Sequence, residues 1–113
     1  MKIYHNPRCS KSRSALAILE ANGKAFDVVK YLDEVLSAEE VLTLAAKTGN
    51  SLREILRLKE AAWKEAGIEP TALSDEQLAE FVAAHPIVME RPIVEDGERA
   101  IVARPPEVLV DWL

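Results

Sequence analysis

The first 32 residues alternate strand, helix and strand, and this order restricts the fold more than any other feature of the chain. Lys2-Ile3-Tyr4-His5 reads as a short strand, which Asn6-Pro7 stops with turn chemistry. Ala15, Leu16, Ile18, Leu19 and Ala21 then recur at helical spacing, and Asn22-Gly23 gives the C-terminal stop. Phe26 to Leu32 is expected to form a second strand, because Val28, Val29, Tyr31 and Leu32 favour a pleated surface. Such a run forms a right-handed crossover between parallel strands.

The middle of the chain reads as helical. Ser37-x-x-Glu40, Ser51-x-x-Glu54 and Ser74-x-x-Gln77 each match a capping box, in which the hydroxyl and the later side chain satisfy free N–H groups at a helix start. Apolar stripes follow each box: Val41, Leu44 and Ala45; Leu52, Ile55 and Leu56; Leu78, Phe81 and Val82. A further short helix is expected from Glu60 to Ala66, before Gly67. After His85-Pro86 the pattern returns to strands, with Ile93 to Glu95 and Ala100 to Ala103 flanking Asp96-Gly97 as a hairpin. Arg104-Pro105-Pro106 leads into a last helix with Val108, Leu109 and Leu113 as its apolar positions. The expected fold is α/β: a mixed four-stranded sheet, βαβ then ββα, in a single domain over 1–113 with a helical insertion at about 37–85. That order resembles the thioredoxin arrangement.

Charge and composition narrow the function. The 113 residues hold 14 Lys plus Arg against 19 Asp plus Glu, a net charge of −5 that argues against a nucleic-acid or anionic-membrane surface. The distribution is uneven, since Arg8, Lys11 and Arg13 lie close to Cys9 and the first acid is Glu20. This basic island suits a small anion. Cys9 is the one cysteine, so an intrachain disulfide is excluded, and with no signal-peptide pattern after Met1 a reducing cytoplasm is the expected location. One Cys and two distant His do not make a zinc site, and four glycines leave no dinucleotide or P-loop pattern. No metal and no bound cofactor are expected.

Cys9 stands between a strand-ending turn and the first turn of a helix. Free N–H groups and the helix dipole lower thiol pKa values there, from about 8.5 to roughly 3.5–7.5 in reactive cases. The competing reading is a small buried hydrophobe. Cys9-Ser10-Lys11-Ser12 has C-x-x-C spacing with Ser12 in place of the second thiol, so an external thiol must resolve any adduct on Cys9. A phosphatase loop is excluded, because the position six residues after the cysteine is Ala15 rather than Arg.

The run Ile3-Tyr4-His5-Asn6-Pro7-x-Cys9-x-x-Ser12-Arg13 resembles the signature of the glutaredoxin-dependent arsenate reductase (ArsC) family. The resemblance continues through Tyr31-Leu32, a helix carrying Arg57, His85-Pro86-Ile87, Arg91-Pro92-Ile93-Val94 and Arg104-Pro105. It implies that Cys9 attacks arsenate or a similar oxyanion, that Arg57, Arg91 and Arg104 bind it, and that His5 helps to keep the thiol ionised. Ser12 and Arg13 belong to the same signature, and Pro92 is expected to follow a cis bond facing the sulfur. Glutathione is the implied co-substrate and glutaredoxin the partner that clears the resulting mixed disulfide. The chain departs from the best-known reductases at Ser10-Lys11, where they have Gly-Thr, and at Leu58-Lys59-Glu60, where they commonly carry Lys-Asn.

Electrostatics explains why such chemistry needs arginines. A thiolate about 4 Å from an oxyanion bearing roughly two charges is repelled by about 8 kcal/mol at an effective dielectric near 20. Planar guanidiniums offset that repulsion and fork onto tetrahedral oxygens. Two alternatives share the cysteine: a redox-sensing adaptor of the Spx group, which binds RNA polymerase, and a general glutathione-dependent thiol reductase. The adaptors typically place a second cysteine at the Ser12 position and lack part of the arginine triad, so the enzyme is the expected reading. His85, before a proline at a helix end, reads as structural.

Overall fold

A three-residue strand beginning at Lys2 lies inside the sheet, with a neighbour on each side. In chain order the elements are β1 (Lys2–Tyr4), α1 (Ser10–Asn22), β2 (Asp27–Val29), α2 (Ala38–Thr48), α3 (Ala61–Glu65), α4 (Asp75–Ala84), β3 (Ile93–Asp96), β4 (Arg99–Val102) and α5 (Val108–Trp112). Single 3₁₀ turns occur at Leu52–Ile55, Pro70–Ala72 and Pro86–Val88. The computed structural model describes residues 1–113. They fall into two compact units, Met1–Glu34 with Arg91–Leu113, and Val35–Glu90.

The first unit holds the whole sheet, in the order β2-β1-β3-β4. β1 runs parallel to β2 and antiparallel to β3, and β3 is antiparallel to β4. This is the expected βαβ-then-ββα arrangement, a thioredoxin-like fold. Ile3 pairs with Val28 on one side and Val94 on the other. Ile3 and Val94 pack with Ala15 and Leu19 of α1, Ala103, and Leu109 of α5 in one fully buried cluster. Apolar positions at helical spacing on α1 thus meet alternate positions of the strands. Gly23, with φ +80°, ends α1 in the left-handed conformation that a glycine adopts without steric penalty.

Two details differ from expectation in this unit. β2 stops at Val29, short of Leu32, because Lys30 O accepts from both Asp33 N–H (2.9 Å) and Glu34 N–H (2.8 Å) while Lys30 N–H donates to Glu34 Oε2 (2.9 Å). A turn therefore takes the groups that a longer strand would use, and Tyr31 is buried from the turn rather than from the sheet. The β3–β4 turn is centred on Gly97-Glu98, one residue later than read. Gly97 supplies the only positive φ there (+63°), the pattern of a II′ hairpin turn.

The second unit is helical. Ser37 and Ser74 form complete capping boxes with Glu40 and Gln77 at the starts of α2 and α4, which pack on each other. The Ser51–Glu54 box also forms, but it opens a 3₁₀ turn instead of an α-helix. The chain is pulled out of the helix by a bridge between Leu56 and Met89, flanked by Arg57 N–H to Val88 O (2.6 Å) and Glu90 N–H to Ile55 O (2.8 Å). Trp63 stacks on Phe81 (ring centroids 4.1 Å apart), and Phe81 on His85 (4.5 Å), so His85 has a packing partner. No helix is long and apolar enough to cross a membrane.

Candidate active site

Residues 5–12 join β1 to α1 through a loop held by its own polar groups. His5 N–H donates to Val29 O at 2.8 Å, tying the end of β1 to β2. Asn6 is buried and bonds three ways: its N–H donates to Ser12 Oγ (3.0 Å), its carbonyl accepts Cys9 N–H (3.0 Å), and its Oδ1 accepts Arg8 N–H (3.0 Å). Ser12, wholly buried in the first turn of α1, also pairs through Oγ with His5 Nδ1 at 2.7 Å. Arg13 Nη1 closes the loop from the solvent side by donating to Pro7 O at 2.9 Å. Sequence reasoning gives Asn6 a turn and a place in the signature run, but not these bonds. Their signal was the short amide side chain itself, which hydrogen-bonds its own backbone two residues on.

This scaffold presents Cys9 as the N-cap of α1, with extended backbone (φ −94°, ψ 123°) and a partly exposed side chain. Burial pushes its thiol pKa up, but the N–H groups of Ser12 and Lys11 and the Arg91 guanidinium outweigh that and hold it below the ordinary value. Each favours the anion, the first two as helix-start donors and Arg91 by hydrogen bond and charge. Arg104 Nη1 lies 4.0 Å from Cys9 Sγ and donates to Arg91 O at 3.0 Å. The Arg91–Pro92 bond is cis, as the resemblance implies, and Arg104–Pro105 is cis as well. Pro92 O accepts Ala103 N–H at 2.9 Å, fastening the segment before β3 to the end of β4, where Arg104 begins. Cys9, Arg91 and Arg104 are thereby brought together, with His5 and Ser12 beneath the loop.

The pKa of His5 lies below its ordinary value. Burial lowers its pKa most, and Lys30 and Arg13 lower it further against the opposing effect of its Ser12 bond. A base whose folded pKa is depressed contributes no instability above its unfolded value. Stability falls as pH drops below 6.5, where the unfolded chain takes up a proton that folded His5 resists, until the folded pKa is reached. Urea unfolding at successive pH values should show the wild type losing stability relative to His5→Asn over that window. A constant gap between the two proteins would show that His5 is not held neutral.

Arg57 belongs to the Val35–Glu90 unit. It lies just past the Leu56 bridge rather than on a helix, a correction whose cause is the same pairing with the Val88–Glu90 segment. Its carbonyl accepts Trp63 Nε1–H at 3.0 Å. Its guanidinium lies near two carboxylates: Glu60 (Nε to Oε2, 3.9 Å), which sequence reasoning named only as part of the Leu58-Lys59-Glu60 departure, and Glu90 (Nη1 to Oε2, 3.7 Å), which it did not single out.

The profile of the ArsC family matches residues 4–111. An arsenate reductase of Neisseria meningitidis serogroup A is 44% identical over 108 residues, covering 95% of this chain and 92% of that protein. The uncharacterized protein YfgD of Escherichia coli is 43% identical over 112 residues, covering 98% of this chain and 94% of that protein. Among solved structures, an arsenate reductase from Vibrio cholerae superposes with a TM-score of 0.91 at 44% identity, covering 100% of this chain and 98% of the other. With its profile, relatives, sheet order and Cys9 loop in agreement, the chain belongs to the ArsC family.

Proposed function

We propose that the protein is an arsenate reductase in which Cys9 is the nucleophile, glutathione the co-substrate and glutaredoxin the partner that regenerates the thiol. The observation that carries this reading is Arg104 Nη1 at 4.0 Å from a Cys9 sulfur whose ionisation Arg91 also favours. A nucleophile flanked by permanently charged donors suits attack on an anion, because the same groups neutralise both partners. The names of relatives over 40% identical point the same way.

In the proposed reaction the Cys9 thiolate attacks arsenic and an arsenic-bound oxygen leaves as hydroxide or water, forming an S–As bond. Glutathione then supplies the second sulfur. Reduction of As(V) to As(III) takes two electrons: as the glutathione sulfur gives up its proton and bonds to Cys9 Sγ, the S–As bond breaks with its electron pair left on arsenic, and arsenite departs from a Cys9–glutathione disulfide. With no second cysteine in the chain, an external thiol must attack that disulfide and return Cys9 to the thiolate, the part the resemblance gives to glutaredoxin. His5 and Ser12 position the loop and its N–H groups. Arg57 is assigned to the oxyanion by the resemblance.

Steady-state reduction of arsenate by purified protein with glutathione and glutaredoxin tests the reading. Arsenite formation that requires all three components is the expected result. Turnover of a glutathione mixed disulfide without any arsenite would replace this reading with that of a general thiol reductase.

A further inference from the structure

A cavity of about 240 Å³ lies beside the Cys9 loop, and every residue that lines it belongs to the unit that holds the sheet. Its wall carries two cations, Arg8 and Lys30, and one carboxylate, Asp33, all three exposed. Pro7 and Leu32 supply apolar surface, and the buried His5 and Asn6 complete the lining. The backbone holds these groups in place, since Asn6 Oδ1 accepts Arg8 N–H at 3.0 Å and Lys30 O accepts Asp33 N–H at 2.9 Å. Glu34, the next acid, accepts Lys30 N–H at 2.9 Å and does not line the cavity. Lys30 is close enough for its charge to lower the pKa of His5. Arg8 directly precedes Cys9, whose N–H donates to Asn6 O at 3.0 Å, so the cavity and the thiol share one loop. The reaction at the sulfur uses none of the three charges.

Glutathione has a matching end. Its γ-glutamyl group carries a carboxylate and an ammonium on one carbon, joined by methylenes and an amide to the cysteine that bears the sulfur. A guanidinium and a lysine ammonium donate to such a carboxylate, and an aspartate accepts from such an ammonium. We infer that this cavity is the subsite for the γ-glutamyl end of glutathione, with Arg8 and Lys30 on its carboxylate and Asp33 on its ammonium, while the sulfur reaches Cys9. The methylenes then lie against Pro7 and Leu32. Two cations alone would serve any anionic thiol, whereas Asp33 repels a plain anion and favours a zwitterion, so the mixed set selects. The inference rests on glutathione being the co-substrate, and it adds where on the chain that thiol is recognised.

Disulfide exchange in the absence of arsenate provides the test. The Cys9 thiolate attacks one sulfur of oxidised glutathione, the disulfide breaks, one glutathione leaves as its thiolate, and the other stays on Cys9 as a mixed disulfide that mass spectrometry follows. Hydroxyethyl disulfide, which is uncharged, reacts in the same way and reports the reactivity of the thiolate alone. The ratio of the two rates, compared between each variant and wild type, therefore isolates recognition of glutathione. Arg8→Gln, Lys30→Gln and Asp33→Asn should each lower that ratio by roughly two- to fivefold, the scale of an exposed ion pair. Asp33→Asn is decisive, since oxidised glutathione is a net anion and charge steering alone would make this variant faster. A ratio that Asp33→Asn leaves unchanged or raises, or that neither Arg8→Gln nor Lys30→Gln lowers, overturns the subsite while arsenate chemistry at Cys9 stands. If Cys9 forms no mixed disulfide with either reagent, the subsite and the glutathione step of the proposed reaction are both overturned.

Discussion

Cys9→Ser should keep the fold and lose all arsenate turnover. The side chain is only partly buried, and what it takes from the fold is the helix-start N–H groups of Ser12 and Lys11, which an oxygen can also accept, so exchanging sulfur for oxygen removes little that the fold needs. Serine is a good N-cap residue, and its hydroxyl can accept from the helix N–H groups as well as sulfur does. Chemistry is different: a serine hydroxyl stays protonated at neutral pH, and no S–As bond or mixed disulfide can form without the sulfur. Thermal unfolding by circular dichroism close to that of wild type, with arsenite production at the uncatalysed level, is the expected pair of results. Residual turnover above that level would place the nucleophile elsewhere.

The second large effect should come from the arginines at the sulfur. Loss of one charge-assisted contact costs about 1.5–3 kcal/mol, or roughly ten- to a hundredfold in anion affinity or turnover. Arg104→Ala and Arg91→Ala should each weaken arsenate protection of Cys9 by that factor. They should differ in a second respect. Arg91 favours the thiolate by hydrogen bond and charge, so its removal should also raise the Cys9 pKa. Lys47→Ala, in the last turn of α2, serves as the control and should change neither property.

How far the sequence could be read depended on whether each feature is local. β1, α1, α5 and the hairpin were legible, since apolar periodicity and turn residues act within a few positions. The same local signal misled at Ser51, whose capping box is chemically complete yet opens only a 3₁₀ turn, because pairing of Leu56 with Met89 overrides it. Likewise β2 reads longer than it is, for a side chain four residues on, Glu34, captures the Lys30 N–H. At the site, the position of Cys9 at a helix start is local and legible. The approach of Arg104 to the sulfur spans 95 residues and was indicated only by family resemblance. The bonds of Asn6 and the pairing of Glu60 and Glu90 with Arg57 were not legible, because neither the types nor the spacing of these residues distinguishes them from turn and surface residues.

The central claim is that Cys9 is an ionised nucleophile seated at an oxyanion site, and its alkylation rate against pH tests both parts at once. Only the thiolate reacts, so the midpoint of the iodoacetamide profile reports the folded pKa. The lowered thiol pKa predicts a midpoint below the free-cysteine reference of about 8.5, with a slower rate when arsenate is present. A midpoint at or above that reference, or a rate that arsenate leaves unchanged, would contradict the account.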